Sequence, residues 1–326
     1  MVAGRDDLQF AAAELVERDG ETVHRRRMRA DELLASAIEA PLQMLLERLG
    51  RPREPVAGLV LGRPHIMGIV NVTPDSFSDG GRYLAPRAAI DHALQLEAEG
   101  ADILDIGGES TRPGSDAVDL DEEWRRVLPV VKALVKRCHA RLSIDTRKAE
   151  VMRRAALEGV HIINDVSALM HDPKAPEVVA ATGLPVVLMH TRGEPRTMQD
   201  SPAYADVVLD VYDWLEARVE ACEQVGIART RLIVDPGIGF GKTLVHNLAL
   251  LGALSIFHGL GCPLLLGASR KSFIGRLTGA GADDRLPGSI AAALVGASQG
   301  AQILRVHDVA ATRQAIALWQ GAFSAG

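Results

Sequence analysis

Residues Asp235 to Thr243 read D-P-G-I-G-F-G-K-T and end as a phosphate-binding loop does, in glycine, lysine and threonine. Such a loop has the register G-x-x-x-x-G-K-[ST], its first glycine opening the turn around the phosphates. Here the residue five before Gly241 is Pro236, whose fixed φ and missing N–H offer an anion nothing. Gly237, Gly239 and Gly241 recur at a spacing of two, so the dinucleotide pattern G-x-G-x-x-G fails as well. The glycines fit a tight turn after a strand, and the purpose of Asp235 remains to be found.

Other residues able to do chemistry stand in similar places. Arg305 and His307 are two apart in R-V-H-D, so on a strand they share a face and suit a phosphate or diphosphate. Lys271, in S-R-K-S, adds a third donor. The competing reading of Arg305 is a buried ion pair with a barrel carboxylate. Asp145, Asn164 and Asp235 offer two acceptor-only carboxylates and one amide that both donates and accepts. That set could read a flat heterocycle presenting N–H and NH₂ groups beside ring acceptors. No nucleophile–base pair stands out, and a Ser-His-Asp reading of Ser269, His307 and Asp308 is weak.

Positioning these residues takes a repeated scaffold. Eight short apolar runs occur at 65–72, 102–108, 141–146, 161–166, 185–190, 231–236, 263–269 and 302–308. Continuous apolar runs mark strands buried on both faces. The stretches between them, such as A-A-I-D-H-A-L-Q-L-E-A-E-G at 88–100, carry helical periodicity and stop at glycine. Eight units from residue 65 to about 320 match the ~250 residues of a (β/α)₈ TIM barrel. An open doubly wound sheet is the alternative. Asn71, Asp105, Asp145, Asn164, His190, Asp235, Ser269, Arg305 and His307 lie in or just after the second half of their runs, at the end where barrel enzymes work. A single polar residue there ordinarily caps a helix, and Asp105 and Ser269 fit that plain reading. Polar residues on all eight runs predict a functional mouth. Two long connections, 73–83 and 109–116, are expected to cover it.

Residues 1–62 form an extension outside the 63–322 barrel domain. Its stretch 30–49 is expected to be one or two amphipathic helices interrupted near Pro41, and H-R-R-R at 24–27 reads as a solvated charge run. Net charge is −6 over 326 residues, which argues against a broad nucleic-acid surface. Cys138, Cys222 and Cys262 are odd in number and far apart, giving neither a zinc knuckle nor a disulfide framework and suiting a reducing cytoplasm. No secretion signal or membrane span is expected.

The motifs N-V-T-P-D-S-F-S-D-G-G (71–81), D-I-L-D-I-G-G-E-S-T-R-P-G (102–114), I-D-T (144–146), I-N-D-V (163–166), D-P-G-I-G-F-G-K (235–242), S-R-K-S (269–272) and R-V-H-D (305–308) occur in order, near successive strand ends. In these, and through nearly all of 65–320, the chain resembles the dihydropteroate synthases. The resemblance implies joining of 6-hydroxymethyl-7,8-dihydropterin diphosphate to 4-aminobenzoate in folate biosynthesis, with Mg²⁺, by a cytoplasmic homodimer. It implies that Asp235, Asn164, Asp145, Lys271 and Met189 contact the pterin and that Asn71 ligates the metal bridging to the diphosphate. Thr111, Arg305 and His307 match contacts at the diphosphate end. Phe77, Thr111, Arg112, Pro113, Phe240 and Ser272 fall where the family forms its arylamine pocket.

Two departures stand out. The family's M-H-M-Q-G is here M-H-T-R-G (189–193), and its D-T-Y-K is D-T-R-K (145–148), so Arg192 and Arg147 are expected to add positive charge near the mouth. A methyltetrahydrofolate-dependent corrinoid methyltransferase would share the Asp/Asn reader but has no use for R-V-H-D. A non-catalytic pterin-binding paralogue would be marked by loss of Arg305, Asn71 or the loop motifs, and all are present.

Overall fold

The computed structural model describes residues 2–5, 7–20, 22–36, 40–72, 84–110, 115, 117–193 and 197–324. Eight of its strands are β3 (His65–Asn71), β4 (Ile103–Gly107), β5 (Arg141–Asp145), β6 (Ile162–Asp165), β7 (Val186–Met189), β8 (Leu232–Asp235), β9 (Leu265–Leu266) and β10 (Ile303–Val306). They pair in parallel in the order β8-β7-β6-β5-β4-β3-β10-β9. A parallel bridge from Val234 to Leu264, just ahead of β9, joins the two ends. The expected (β/α)₈ barrel is therefore present, and the open sheet is excluded.

Around it lie α3 (Leu84–Ala98), α4 (Leu120–Arg137), α5 (Ala149–Leu157), α6 (Ala175–Thr182), α7 (Val207–Gln224), α8 (Leu244–Gly252), α9 (Ser272–Thr278), α10 (Leu286–Ser298) and α11 (Val309–Ser324). The longer ones are written plainly in the sequence. In α4 the Asp119 side chain caps the amide of Glu122, acids fill the first turn, and Lys136 and Arg137 fill the last, as the helix dipole favours. Val127, Val130, Val131 and Leu134 recur at helical spacing and are buried.

Inside the barrel, period-two alternation separates an apolar floor from a polar ceiling. Met67, Ile103, Ile162, Val187, Ile233, Leu265 and Ile303 form the floor, with Val56 and Leu61 packed into the same cluster. Two residues further along six of these strands stand Ile69, Asp105, Asn164, Met189, Asp235 and Arg305. Each strand thus turns its next inward residue toward the mouth.

The extension differs from the helical reading. The helices are there, as α1 (Ala30–Ser36) and α2 (Ala40–Gly50), separated just ahead of Pro41. Before them comes an antiparallel hairpin, β1 (Ala12–Asp19) and β2 (Thr22–Arg29). Asp19–Gly20 is its turn signal, but the charges in A-A-E-L-V-E-R-D and T-V-H-R-R-R-M-R obscure the alternation. Those charges have partners: Arg18 pairs with Asp210 and Asp213, and Arg25 with Asp206 and Glu14. The H-R-R-R run is therefore a strand, in part tied to α7.

Candidate active site

Arg305 stands at the centre of the mouth. Its Nε donates to Asp105 at 2.7 Å and its Nη2 to Asp145 at 2.8 Å. Asn164 Nδ2 donates to the same Asp105 oxygen at 2.9 Å. The ion-pair reading of Arg305 is thus realised, with carboxylates belonging to the mouth itself. A guanidinium has five N–H donors, so Nη1 and the rest of Nη2 are left for an anion. Asp105 is the residue underestimated from sequence: it is a hub between strands, and its parity with Ile103 was the available signal. Burial pushes the Asp145 carboxyl above the usual carboxylate range, against the pull of Arg305 and with the charge of Asp105 adding to the effect.

Across the barrel, Asp235 Oδ1 accepts the Gly237 amide at 2.7 Å. Burial raises its carboxyl above the usual range, opposed by Lys271, the Gly237 amide, Lys242 and Arg305. A Cβ added at Gly267 would stand 3.8 Å from Asp235 Oδ2 and 3.9 Å from both Lys271 Nζ and Arg305 Cβ. This glycine therefore leaves the space where carboxylate, ammonium and guanidinium stem converge. Lys271 is lowered by burial to about 8, with Asp235 opposing the shift. Its ammonium donates to the Ile238 carbonyl and lies 4.6 Å from the centre of the Phe240 ring, a cation–π contact. Met189 is buried at the end of β7.

The glycine loop is a support for Asp235, with no cradle for a phosphate. Gly237, Gly239 and Gly241 have φ of +69°, +86° and +60°. A Cβ would meet the His190 carbonyl oxygen at 1.9 Å from Gly237, and that of Arg192 at 2.5 Å from Gly241. Three of the loop's N–H groups are spent inside the fold, Gly237 on Asp235, Gly239 on Asn247 Oδ1 at 2.6 Å and Phe240 on the Gly237 carbonyl at 3.1 Å. Thr243 is the N-cap of α8 in a capping box with His246.

Asn71, Gly107, Asp145 and Asn164 lie in register across β3 to β6, which sets Asn71 in the same row as the heterocycle reader. Among the described residues no group of three His, Cys, Asp or Glu side chains could hold a metal. Asn71 offers one hard oxygen, which fits Mg²⁺ only in the mode where substrate phosphates and water complete its shell. His307 Nδ1 lies 3.1 Å from Ser269 Oγ, while Asp308 is occupied by Arg270, so no Ser-His-Asp relay forms. Ser272 opens α9 and is exposed, and Phe240 is half-buried. Phe77, Thr111, Arg112 and Pro113, with most of both long connections, lie outside the described residues.

The added charge at the mouth needs correction for Arg147. It is buried and paired with Glu109 at 2.8 Å, in a network where Lys148 bridges Glu109 at 2.7 Å and Glu123 at 2.5 Å. Its charge is thereby neutralised locally. Arg192 lies over the Tyr204 ring at 5.1 Å and donates to the Ala203 carbonyl. Sequence reading also passed over Glu109 and Asn247 and weighed Lys242 only as the end of a phosphate loop; their partners become visible only in the fold.

Residues 67–307 match the family model described as pterin binding enzyme. The dihydropteroate synthase of Escherichia coli K12 is 50% identical over 267 residues, covering 82% of this chain and 94% of the relative. A solved dihydropteroate synthase of Xanthomonas albilineans with 4-aminobenzoic acid superposes with a TM-score of 0.77 at 52% identity, covering 82% of this chain and 96% of that one. The same organism's enzyme in complex with 7,8-dihydropteroate gives 0.74 at 49% identity, covering 81% and 95%.

Proposed function

The chain belongs to the pterin-binding enzyme family, and from that premise we propose how its barrel mouth works as a dihydropteroate synthase. This transferase of folate biosynthesis joins 6-hydroxymethyl-7,8-dihydropterin diphosphate to 4-aminobenzoate, giving 7,8-dihydropteroate and diphosphate. The observation that carries the residue assignment is the convergence of Asp235, Lys271 and Arg305 around Gly267, with Asp145 and Asn164 joined to Arg305 through shared hydrogen bonds.

Asp235 accepts from the ring N–H and amino group of the pterin. Lys271 donates to the carbonyl side, Asn164 and Asp145 meet the remaining ring edge, and Met189 packs on the ring. Arg305, still anchored by Asp105 and Asp145, turns its remaining N–H groups to the diphosphate together with His307, so negative charge is met where it grows as the C–O bond breaks. Asn71 would hold a magnesium ion, which when bound supplies further neutralisation of the leaving group. The electron-rich dihydropterin delocalises the cation left on its methylene carbon, and Asp145 beside the ring stabilises it. The arylamine is nucleophilic while neutral, so its attack needs no strong base. Phe240 and Ser272, with Phe77, Thr111, Arg112 and Pro113, form its pocket. A cytoplasmic homodimer acting on small molecules completes the reading. Among the described residues no helix is long and apolar enough to cross a membrane.

The test is diphosphate release by the purified protein from the dihydropterin diphosphate and Mg²⁺, with and without 4-aminobenzoate. Release coupled to dihydropteroate formation is expected, and Arg305→Ala should lower it by at least about a hundredfold while the protein stays folded by thermal melt. Binding of the dihydropterin diphosphate without release would point to a non-catalytic pterin-binding protein.

A further inference from the structure

Lys242 is the residue that made the glycine loop look like a phosphate site, and nothing in the reaction above uses it. Its side chain is buried, 1% exposed. Its ammonium lies 2.8 Å from His190 Nδ1, 2.9 Å from the Phe240 carbonyl and 3.4 Å from the His190 carbonyl. These are three acceptors for three N–H bonds, and all are neutral. Among the described residues no carboxylate stands within ion-pairing distance of it, whereas Glu109, Glu123, Asp105 and Asp145 all have cations of their own. A buried ammonium without a counterion is expensive, and burial accordingly lowers the Lys242 amine well below its ordinary range, so what it gives its surroundings is hydrogen bonds rather than a fixed charge.

The surroundings indicate what it does. His190 follows directly on β7, and its amide donates to the Asp235 carbonyl at 2.9 Å. Its ring packs edge-on to Trp214 at 4.9 Å, and burial and the neighbouring Lys242 keep it neutral. By holding the carbonyls of both His190 and Phe240, Lys242 draws the glycine loop onto the end of β7, so closely that a Cβ at Gly237 would stand 1.9 Å from the His190 carbonyl oxygen. That loop delivers the Gly237 amide to Asp235 and the Phe240 ring to Lys271. We propose that Lys242 is a positioning residue for pterin recognition: through its hydrogen bonds to the His190 and Phe240 carbonyls it fixes the loop behind Asp235, without touching the substrate. The proposal rests on the reading that Asp235 accepts the pterin's N–H edge.

Lys271 from the start of α9, Arg305 from β10 and the Gly237 amide act on the Asp235 carboxylate. Without the Lys242 clamp the loop is free to leave the end of β7, taking the Gly237 amide from Asp235 and the Phe240 ring from Lys271, so the acceptor is no longer held where the pterin edge requires it.

The experiment measures binding of 6-hydroxymethyl-7,8-dihydropterin to the full-length protein between pH 5 and 9, for wild type, Lys242→Met and Lys242→Gln, with thermal melts to establish folding. Lys242→Gln keeps two donors for the loop carbonyls and serves if the methionine variant does not fold. The expected result is binding weakened roughly tenfold in Lys242→Met across the pH range and largely restored in Lys242→Gln, which keeps donors for the two carbonyls. No loss in the methionine variant, or a loss that the glutamine variant does not restore in a protein that stays folded, would overturn the positioning role. Asp235→Asn is the control on the underlying reading: if it binds as well as wild type, Asp235 does not read the pterin and the fault lies there.

Discussion

Lys271 and Asp145 are held on opposite sides of their ordinary ranges by the same barrel mouth. Burial lowers Lys271 to about 8 and raises Asp145 above the usual carboxylate range. Asp145 forms a hydrogen-bonded cluster with Arg305 and Asp105, so its limb of a pH profile cannot be given to one residue alone. Lys271 stands apart from that cluster, beside Asp235 and the Phe240 ring. Its role requires an ammonium, so activity that depends on it is present below pH 8 and lost above. The kcat/KM for the dihydropterin diphosphate should therefore fall through about pH 8 on the alkaline side. Lys271→Arg keeps its charge throughout and should remove that limb while leaving the acid limb in place, whatever it does to the maximum rate. Profiles from pH 6 to 10 decide it, and an unchanged alkaline limb in the arginine variant would exclude Lys271 as its source.

At the scale of elements, the loop between β8 and α8 has the least freedom to change. Gly237 combines φ of +69° with a Cβ position 1.9 Å from the His190 carbonyl oxygen, so a side chain there must displace either the loop or the end of β7. Gly183, which caps α6, has φ of +74° and nothing within 4 Å. Gly183→Ala should cost about 1–2 kcal/mol, the left-handed penalty alone. Gly237→Ala should cost more than about 4 kcal/mol, the range tied to clashes and special backbone. Urea melts of both variants measure the difference, and similar losses would mean that the loop yields easily. The same loop shows what sequence can convey. Its glycines announced a turn, and Pro236 ruled out a phosphate loop. Eight apolar runs gave eight strands because both of their faces are buried. Period-two spacing placed Arg305 and His307 on one face. Asp105 was harder, since its main partner is 200 residues away and only barrel closure brings β10 beside β3 and within reach of β4. The β1–β2 hairpin was missed because charged residues occupy positions where alternation would otherwise be visible. Their partners on α7 lie more than 180 residues further along the chain.

For the molecule as a whole, the extension attaches in two ways that differ in consequence. The hairpin holds α7 through Arg18 and Arg25, 31% and 43% exposed, and exposed pairs of this kind contribute about 0–1 kcal/mol each. Residues 2–5 and α2 grip the outside of the barrel's floor end: Arg5 is buried near the Trp319 ring, and Arg48 donates to the Gly259 carbonyl. The segment 53–61 instead enters the core. Val56 and Leu61 are 0% and 3% exposed and pack with the floor layer that lies one inward residue below Asp105, Asn164, Asp235 and Arg305. Arg53 secures the segment on the carbonyls of Cys262 and His258 at 3.2 and 2.9 Å. Each large apolar side chain withdrawn from such a layer forfeits about 1.5–3 kcal/mol, and water entering the floor would loosen the ceiling above it. Two truncations separate these contributions. A chain beginning at residue 52 should melt several degrees lower yet turn over within about threefold of the full protein, because the lost contacts lie outside the barrel. A chain beginning at residue 63 should lose cooperative unfolding or most of its activity, because Val56 and Leu61 together amount to a large share of the ~5–15 kcal/mol that keeps a domain folded. Melting curves and turnover on both chains make the comparison. Full activity in the shorter one would show that the barrel closes its own floor and that the 53–61 segment is dispensable packing.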